Sequence, residues 1–475
     1  MTANKYPLLF IIISTASIFL FNCSSPTIPT ESKPQLSYHF SLPAMNKDSL
    51  SITFTCSEPY DKYILPYHYF DNPLDSLPGP LVTGLEITGR SGKRIDTISA
   101  VEKVGPVSSI VCMLRENNDY PVTFRYKINT GNIFHDSTTT SMPRIHLDST
   151  LFLIGAYMFI IPYVNQSLVD LWRTPLRIEL NCSSPLSLPL YGLSKANTCR
   201  NLYELLFVQI KAGAELIASG SGGSFPFVML DYRERAYDRS IIPALSTSFS
   251  NILSDISRRY VWKENYPLAV SFHAFQGGLE GLGGFASIEP SLDTNLANSA
   301  VLYHEALHFF IGIHTGEYDD PWWKEGMTSY LGYASSVRIH CWSKRKFRDM
   351  VTKSKTDYSN PKLLHALSDP YLRANLFPDT MHALAYEKGL IVSMMLDLRC
   401  RQSTNNMVCI DDITAELVNE FDGSAFHRQD FLNAFQRHNI RVEDIFTTYI
   451  DKPGPGLNDT LAGKVFDELD SLGAF

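Results

Sequence analysis

Tyr303-His304-Glu305-Ala306-Leu307-His308, followed shortly by Trp322-Trp323-Lys324-Glu325-Gly326-Met327-Thr328-Ser329-Tyr330, is the stretch around which the chain is organised. The first run is an H-E-x-x-H motif. On a helix, positions i and i+4 share one face about 6 Å apart along the axis, so His304 and His308 can grip one ion. Glu305 is rotated roughly 100° from His304 and can reach a water on that ion without ligating it. Zinc suits two imidazoles and a carboxylate, with a fourth position open to water. A third protein ligand is therefore required.

Two residues compete for that place. Glu325 follows a short loop, and Asp320-Pro321 before it reads as the N-cap and first position of a second helix. His314 lies six residues past His308, the spacing of the H-E-x-x-H-x-x-G-x-x-H type. That type needs glycine at 311, where this chain has Ile311; Gly312 comes one place late. The displaced turn favours Glu325 and leaves His314 as a loop histidine. Ala300-Val301-Leu302 and Phe309-Phe310-Ile311 flank the motif with apolar residues. Two histidines and a glutamate inside such a helix are costly to bury without a partner. The alternative is a hydrogen-bonded pair of core histidines.

With 475 residues the chain has room for two or three domains, and its net charge of −8 argues against nucleic acid as a partner. The N-terminus reads as a targeting segment: Lys5, then an apolar run from Pro7 to Leu20 that is short for a membrane span. Leu20-Phe21-Asn22-Cys23 resembles the end of a bacterial lipoprotein signal, with Cys23 as the lipidated residue. Ordinary secretion and an uncleaved anchor are the alternatives. The polar, Pro-rich stretch that follows reads as a tether. In a compartment that permits disulfides, Cys182 with Cys199, Cys400 with Cys409, and Cys56 with Cys112 are candidate bridges.

From about Leu36 to Pro185, runs such as Leu50-Ser51-Ile52-Thr53-Phe54-Thr55-Cys56 and Val122-Thr123-Phe124-Arg125-Tyr126-Lys127-Ile128 alternate with period two. They predict an antiparallel, sandwich-like domain. Leu202 to Leu216 and Pro243 to Arg259 have helical periodicity, with Ser219-Gly220-Ser221-Gly222-Gly223-Ser224 between them as a loop. A strand at Leu268 to Phe272 leads into Gln276-Gly277-Gly278-Leu279-Glu280-Gly281-Leu282-Gly283-Gly284. Glycines this dense permit close approach of another backbone, such as a substrate laid along an edge; a bulged hairpin reads equally well. Ala385-Tyr386-Glu387-Lys388-Gly389 opens a strongly apolar helix.

Taken together, His304-Glu305-x-x-His308, the Trp-x-x-Glu-Gly-x-Thr-Ser-Tyr run and Tyr386-x-Lys-Gly resemble the gluzincin peptidases. The match is best to the glycyl aminopeptidase family, whose Gly-Gly-Leu-Glu appears at Gly277 to Glu280, and more distant to the aminopeptidase-N family. The resemblance covers roughly residues 200–450. It implies an α+β multidomain chain, with an N-terminal antiparallel β-sandwich-like domain followed by a thermolysin-like, mainly helical zinc peptidase domain. The expected division is a signal peptide at 1–22, a tether at 23–36, a β-rich domain at 37–187, the catalytic domain at 188–450 and a tail at 451–475. It further implies one Zn2+ ion on His304, His308 and Glu325, with Glu305 as general base and Tyr386 as oxyanion donor. Gly277, Gly278 and Glu280 would bind the substrate, Glu280 holding its α-amine.

The chain departs from the family pattern in three places. Gly281 and Gly283 replace polar residues, the usual C-terminal PDZ domain is not expected after Pro455, and Ser329 stands where some zinc peptidases keep a carboxylate behind a ligand histidine. Peptides are the expected substrates and a lipid anchor in the bacterial cell envelope the expected location. Three functions stay open: an aminopeptidase, an endopeptidase with the same metal site, and an inactive peptidase fold that binds ligands.

Overall fold

In the computed structural model, the described residues are 35–41, 49–60, 62–65, 82–95, 97–104, 107–114, 119–129, 145–146, 150–155, 158–163, 176–183, 190–192, 198–199, 201–212, 215–231, 239–261, 263, 267–272, 278–281, 285–288, 297–312, 315, 322–352, 366–368, 384–422, 426–452 and 457–475. The alternating runs near the N-terminus form strands because every second residue buries an apolar side chain. Leu50, Ile52, Phe54 and Cys56 are buried along one strand, and Val122, Phe124, Tyr126 and Ile128 along its neighbour. Register sets Tyr38 opposite Phe54 and Phe54 opposite Phe124. Their rings stack across the sheet at 4.4 and 5.2 Å between centroids, cross-strand pairing that adds to simple burial.

This sheet has six strands in the order Thr198–Cys199, Ile178–Ser183, Leu36–Ser41, Ser49–Cys56, Val122–Asn129, Val82–Thr88. One pairing departs from the antiparallel expectation: Leu36–Ser41 and Ile178–Ser183 run parallel. No tight turn joins strands so far apart in sequence, so nothing forces a hairpin between them. Segment 158–161 covers the buried face, and two tyrosines tie it down. Tyr38 donates to the Ile160 carbonyl at 2.8 Å and Tyr126 to the Met158 carbonyl at 2.9 Å.

The helix expected from Leu202 to Leu216 is cut short. Leu202–Phe207 is helical, capped by Asn201, whose side chain accepts from the Glu204 amide at 2.9 Å. Gln209–Ala212 then pairs as a strand with both Thr150–Ile154 and Leu190–Gly192, and Glu215–Gly222 starts a further sheet. Strand partners distant in sequence outweigh a weak local period here. The Gly-rich run is likewise no free loop. It completes a strand and turns through Gly223 at φ +57°, and a Cβ on Gly222 would lie 2.2 Å from the Ser250 carbonyl oxygen. Its glycines let the helix Ile242–Ile256 lie directly on the hairpin.

The sheet that carries this helix has five strands in the order Glu215–Gly222, Phe225–Asp231, Leu268–Phe272, Phe285–Ile288, Gly278–Gly281. The last strand is an edge, antiparallel to Phe285–Ile288 with Glu280 opposite Ala286. The helix Ala297–His308 packs beside these two strands.

The helices beyond the sheet are fastened by one buried carboxylate. Asp397, 1% exposed, accepts from the Tyr330 hydroxyl at 2.5 Å, from Arg401 Nε at 3.0 Å and from the Ile410 amide at 2.9 Å. Three helices, Thr328–Arg338, Gly389–Ser403 and Ile410–Glu420, meet at this group.

Two of the three candidate disulfides, Cys56–Cys112 and Cys400–Cys409, are not formed, while the Cys182 side chain lies outside what the structure describes. Cys56, Cys400 and Cys409 are buried free thiols. Burial, reinforced by Asp397 beside Cys400 and by Asp411 beside Cys409, pushes both of those thiols up. The Cys409 thiol donates to Asp412 Oδ2 at 3.1 Å. Disulfide formation proceeds through the thiolate, which this environment disfavours.

Removing one partner from a buried ion pair leaves an uncompensated charge, typically at a cost of about 3–5 kcal/mol. Asp397→Ala should lower the unfolding free energy by about that much in denaturant titrations followed by tryptophan fluorescence. A loss below about 1 kcal/mol would show that the three helices do not depend on this carboxylate.

Candidate active site

Ala297–His308 is buried on nearly every side: Ala300, Leu302, Tyr303, Ala306 and Leu307 are all inaccessible. Val301 is the exception at 36% exposed, and helical spacing places it on the face of His304, Glu305 and His308. That face opens to solvent at its N-terminal end, whereas His308 is 1% exposed. Behind it, the Tyr303 hydroxyl donates to Asp255 at 2.6 Å and anchors the helix to Ile242–Ile256.

The third ligand candidate arrives on a π-helical turn, Trp322–Met327, which runs into the helix Thr328–Arg338. Trp322 and Trp323 are buried and pack edge-on against Phe431 at 5.9 and 4.8 Å, which sets where the turn begins. Glu325 then projects toward the histidines. Its Oε2 lies 3.3 Å from His308 Nε2 and 3.6 Å from His304 Nε2, and the two Nε2 atoms are 2.8 Å apart. Among the described residues, these three form the one group of His, Cys, Asp or Glu side chains able to hold a metal ion.

Whether a cation fits follows from the hydrogen bonding. His308 Nδ1 is 3.2 Å from the Ile311 carbonyl. A carbonyl only accepts, so Nδ1 carries the proton and Nε2 turns a lone pair inward. His304 Nδ1 lies 3.3 Å from Ser329 Oγ. Glu325 Oε2 is buried without a hydrogen bond of good geometry. Two imidazole nitrogens and a carboxylate held this closely in a buried place call for a shared positive charge, and the donor set suits zinc. Burial alone would raise the Glu325 carboxyl; positive charge at His308, hydrogen bonding to the two histidines and the nearby Lys324 ammonium outweigh it and hold it well below the usual carboxylate range whenever the site carries a proton in place of a metal ion.

Tyr386 sits on a second π-helical turn, Leu384–Lys388, which leads into Gly389–Ser403. Its ring lies almost parallel to that of His304, at 19° and 5.9 Å between centroids. What allows this approach is a glycine pair. A Cβ on Gly326 would lie 2.4 Å from Gly389 Cα, and one on Gly389 would lie 3.0 Å from Gly326 Cα. The glycine after Glu325 and the glycine that closes Tyr386-x-Lys-Gly are the contact between the two segments.

The structure thus brings together His304, Glu305, His308, Glu325 and Tyr386. Gly278 and Glu280 lie on the edge strand beside the ligand helix. Gly277, His314, Asp320, Pro321 and Cys23 lie outside the described residues. Ser329, which the sequence set behind a ligand histidine, stands against His304; the Asp397 brace one residue further along at Tyr330 went unread in the sequence. An Asp and an Arg four apart inside an apolar helix, Asp397 and Arg401, were the available signal.

No protein-family model and no curated protein matches the sequence. Solved structures do match. An aminopeptidase N family protein from Idiomarina loihiensis superimposes at TM-score 0.63 with 14% identity, over 88% of this chain and 76% of its own. Yeast leukotriene A4 hydrolase, in a complex with bestatin, does so at 0.58 with 15% identity, over 90% and 71%. An M1 zinc metallopeptidase from Deinococcus radiodurans follows at 0.52 with 14% identity, over 88% and 93%. The chain has the gluzincin aminopeptidase fold. Within it, the histidines and Glu325 come from consecutive helices and Tyr386 from a third.

Metal analysis distinguishes the two candidates for the third ligand. Glu325→Ala should lose most bound zinc, while His314→Ala should retain it, since a site short of one protein ligand binds far more weakly. Zinc loss in the His314 variant alone would overturn the assignment of Glu325.

Proposed function

We propose that this chain is a zinc aminopeptidase of the bacterial cell envelope, with its helical part arranged as in thermolysin. The observation that carries the proposal is the convergence of His304, His308 and Glu325, with Glu305 adjacent and Tyr386 stacked on His304. Among the structural neighbours, a variant of the Deinococcus radiodurans enzyme is bound to the peptide Tyr-Ser-Ala, which supports a peptide as substrate.

When bound, zinc would polarise the scissile carbonyl and lower the pKa of a water at its open position to about 7. Glu305 takes the proton from the attacking water and returns it to the leaving amine, so the proton count balances across the reaction. At 5% exposed, its carboxylate works in a largely dry place. The Tyr386 hydroxyl donates to the oxyanion, a contact commonly worth about 2.7–4 kcal/mol.

Gly278–Gly281 gives the substrate a place to lie. The strand is the last of its sheet, and an extended peptide can pair with such an edge through main-chain hydrogen bonds. Glu280, on that strand, is the carboxylate proposed to hold the substrate α-amine. A charge-assisted hydrogen bond of this kind contributes about 1.5–3 kcal/mol, and an acetylated or internal peptide cannot make it. It also sets the scissile bond one residue from the amine.

A digest of matched peptides with free and acetylated N-termini tests this function. Free amines should be trimmed and acetylated ones spared; Glu280→Ala should weaken kcat/KM for free-amine peptides at unchanged zinc content. Equal cleavage of both peptide sets by the wild type would establish the endopeptidase alternative instead.

Envelope location rests on Cys23. Labelled fatty acid should enter the wild type expressed in a bacterium and be missing from Cys23→Ser. Equal labelling of the two proteins would exclude lipidation at that cysteine.

A further inference from the structure

The two ligand histidines are held at Nδ1 by chemically different groups. His308 faces a backbone carbonyl, that of Ile311 at 3.2 Å; His304 faces the hydroxyl of Ser329 at 3.3 Å. A carbonyl can only accept, so it enforces one tautomer, whereas a hydroxyl can accept or donate. Ser329 is 2% exposed and His304 8%, so bulk water does not compete for the contact. Ser329 also lies one turn beyond Glu325, where the π-helical turn has passed into the helix Thr328–Arg338. A single continuous segment therefore delivers the third ligand and touches the far side of the first. The Tyr386 ring lies over the face of the same imidazole and limits how it can tilt.

We infer that Ser329 is a positioning residue of the metal centre: its oxygen accepts the Nδ1 proton of His304 and so turns the Nε2 lone pair toward His308 and Glu325. The inference rests on the metal-site assignment made above. Were the hydroxyl to donate instead, the His304 proton would sit on Nε2, facing the other two ligands, and the lone pair needed for coordination would be lost. A neutral hydroxyl also enhances the donor strength of the imidazole less than a carboxylate would. Of the two histidines, His304 is thus the one whose ligation depends on a side chain.

The test uses the full chain with zinc bound, labelled with 15N-histidine. In long-range 1H–15N spectra of the zinc-loaded chain, with the His304 signals identified by their loss in His304→Gln, the His304 Nδ1–H should be protected from exchange with water in the wild type and lose that protection in Ser329→Ala. Zinc affinity, measured by competition with a chromophoric chelator, should fall about 10- to 100-fold in Ser329→Ala, the usual effect of losing such a partner. Ser329→Thr, which keeps the hydroxyl, should restore both the protection and the affinity. Wild-type zinc affinity in Ser329→Ala would overturn the inference. So would an equal loss in Ser329→Ala and Ser329→Thr, because packing and not the hydroxyl would then be responsible. A wild type that binds no zinc would sink the metal-site assignment itself, and this inference with it.

Discussion

Gly326 and Gly389 meet backbone to backbone, and the site depends on that contact. Any side chain at either position would hold the two segments apart. The segment carrying Glu325 must approach the one carrying Tyr386 while both face the ligand helix. Only then do a buried carboxylate, two buried imidazoles and a half-buried phenol ring come together. The local cost is high, since glycine inside or beside a helix is destabilising by about 1 kcal/mol relative to alanine. Burial around the crossing offsets it: Trp322, Trp323, Leu384 and Ala385 are almost wholly inaccessible.

Around this crossing the polar groups fall into two kinds. Asp397 is saturated by Tyr330, Arg401 and the Ile410 amide and acts as a fastening. His304, His308 and Glu325 point at one another and form a group able to hold a metal ion. Both sets sit in the same helical core, and Tyr330 follows Ser329 directly in sequence. The fastening therefore holds in place the turn of helix that touches His304, and it lies outside the volume where chemistry would occur.

Much of the site was legible in the sequence because its residues obey short-range periodicities. The i, i+4 spacing placed His304 and His308 on one face, and the missing glycine at 311 favoured Glu325 over His314. Helices built from such local spacing keep their character after folding. The run from Leu202 to Leu216 did not, because its second half finds strand partners at Thr150–Ile154 and Leu190–Gly192 that no local window contains. The parallel pairing of Leu36–Ser41 with Ile178–Ser183 was hidden for the same reason. Cysteine spacing misled in another way: proximity along the chain suggested a bridge between Cys400 and Cys409, but burial and neighbouring carboxylates keep both as thiols.

Both Glu325 and Tyr386 ride on π-helical turns that revert at once to α-helix. A π-turn carries one residue more than the α-turn it replaces, and such bulges occur often at functional sites. Each of these segments thus has a phase as well as a position. Deleting one residue between Glu325 and Thr328 leaves a good α-helix, yet it rotates Glu325 by roughly 100° relative to Ser329. Substitutions can be absorbed gradually, but a change of length in either turn switches the side chain to another face. Among descendants of this sequence, single-residue insertions and deletions should therefore collect in the connecting loops and be purged from 322–327 and 384–388.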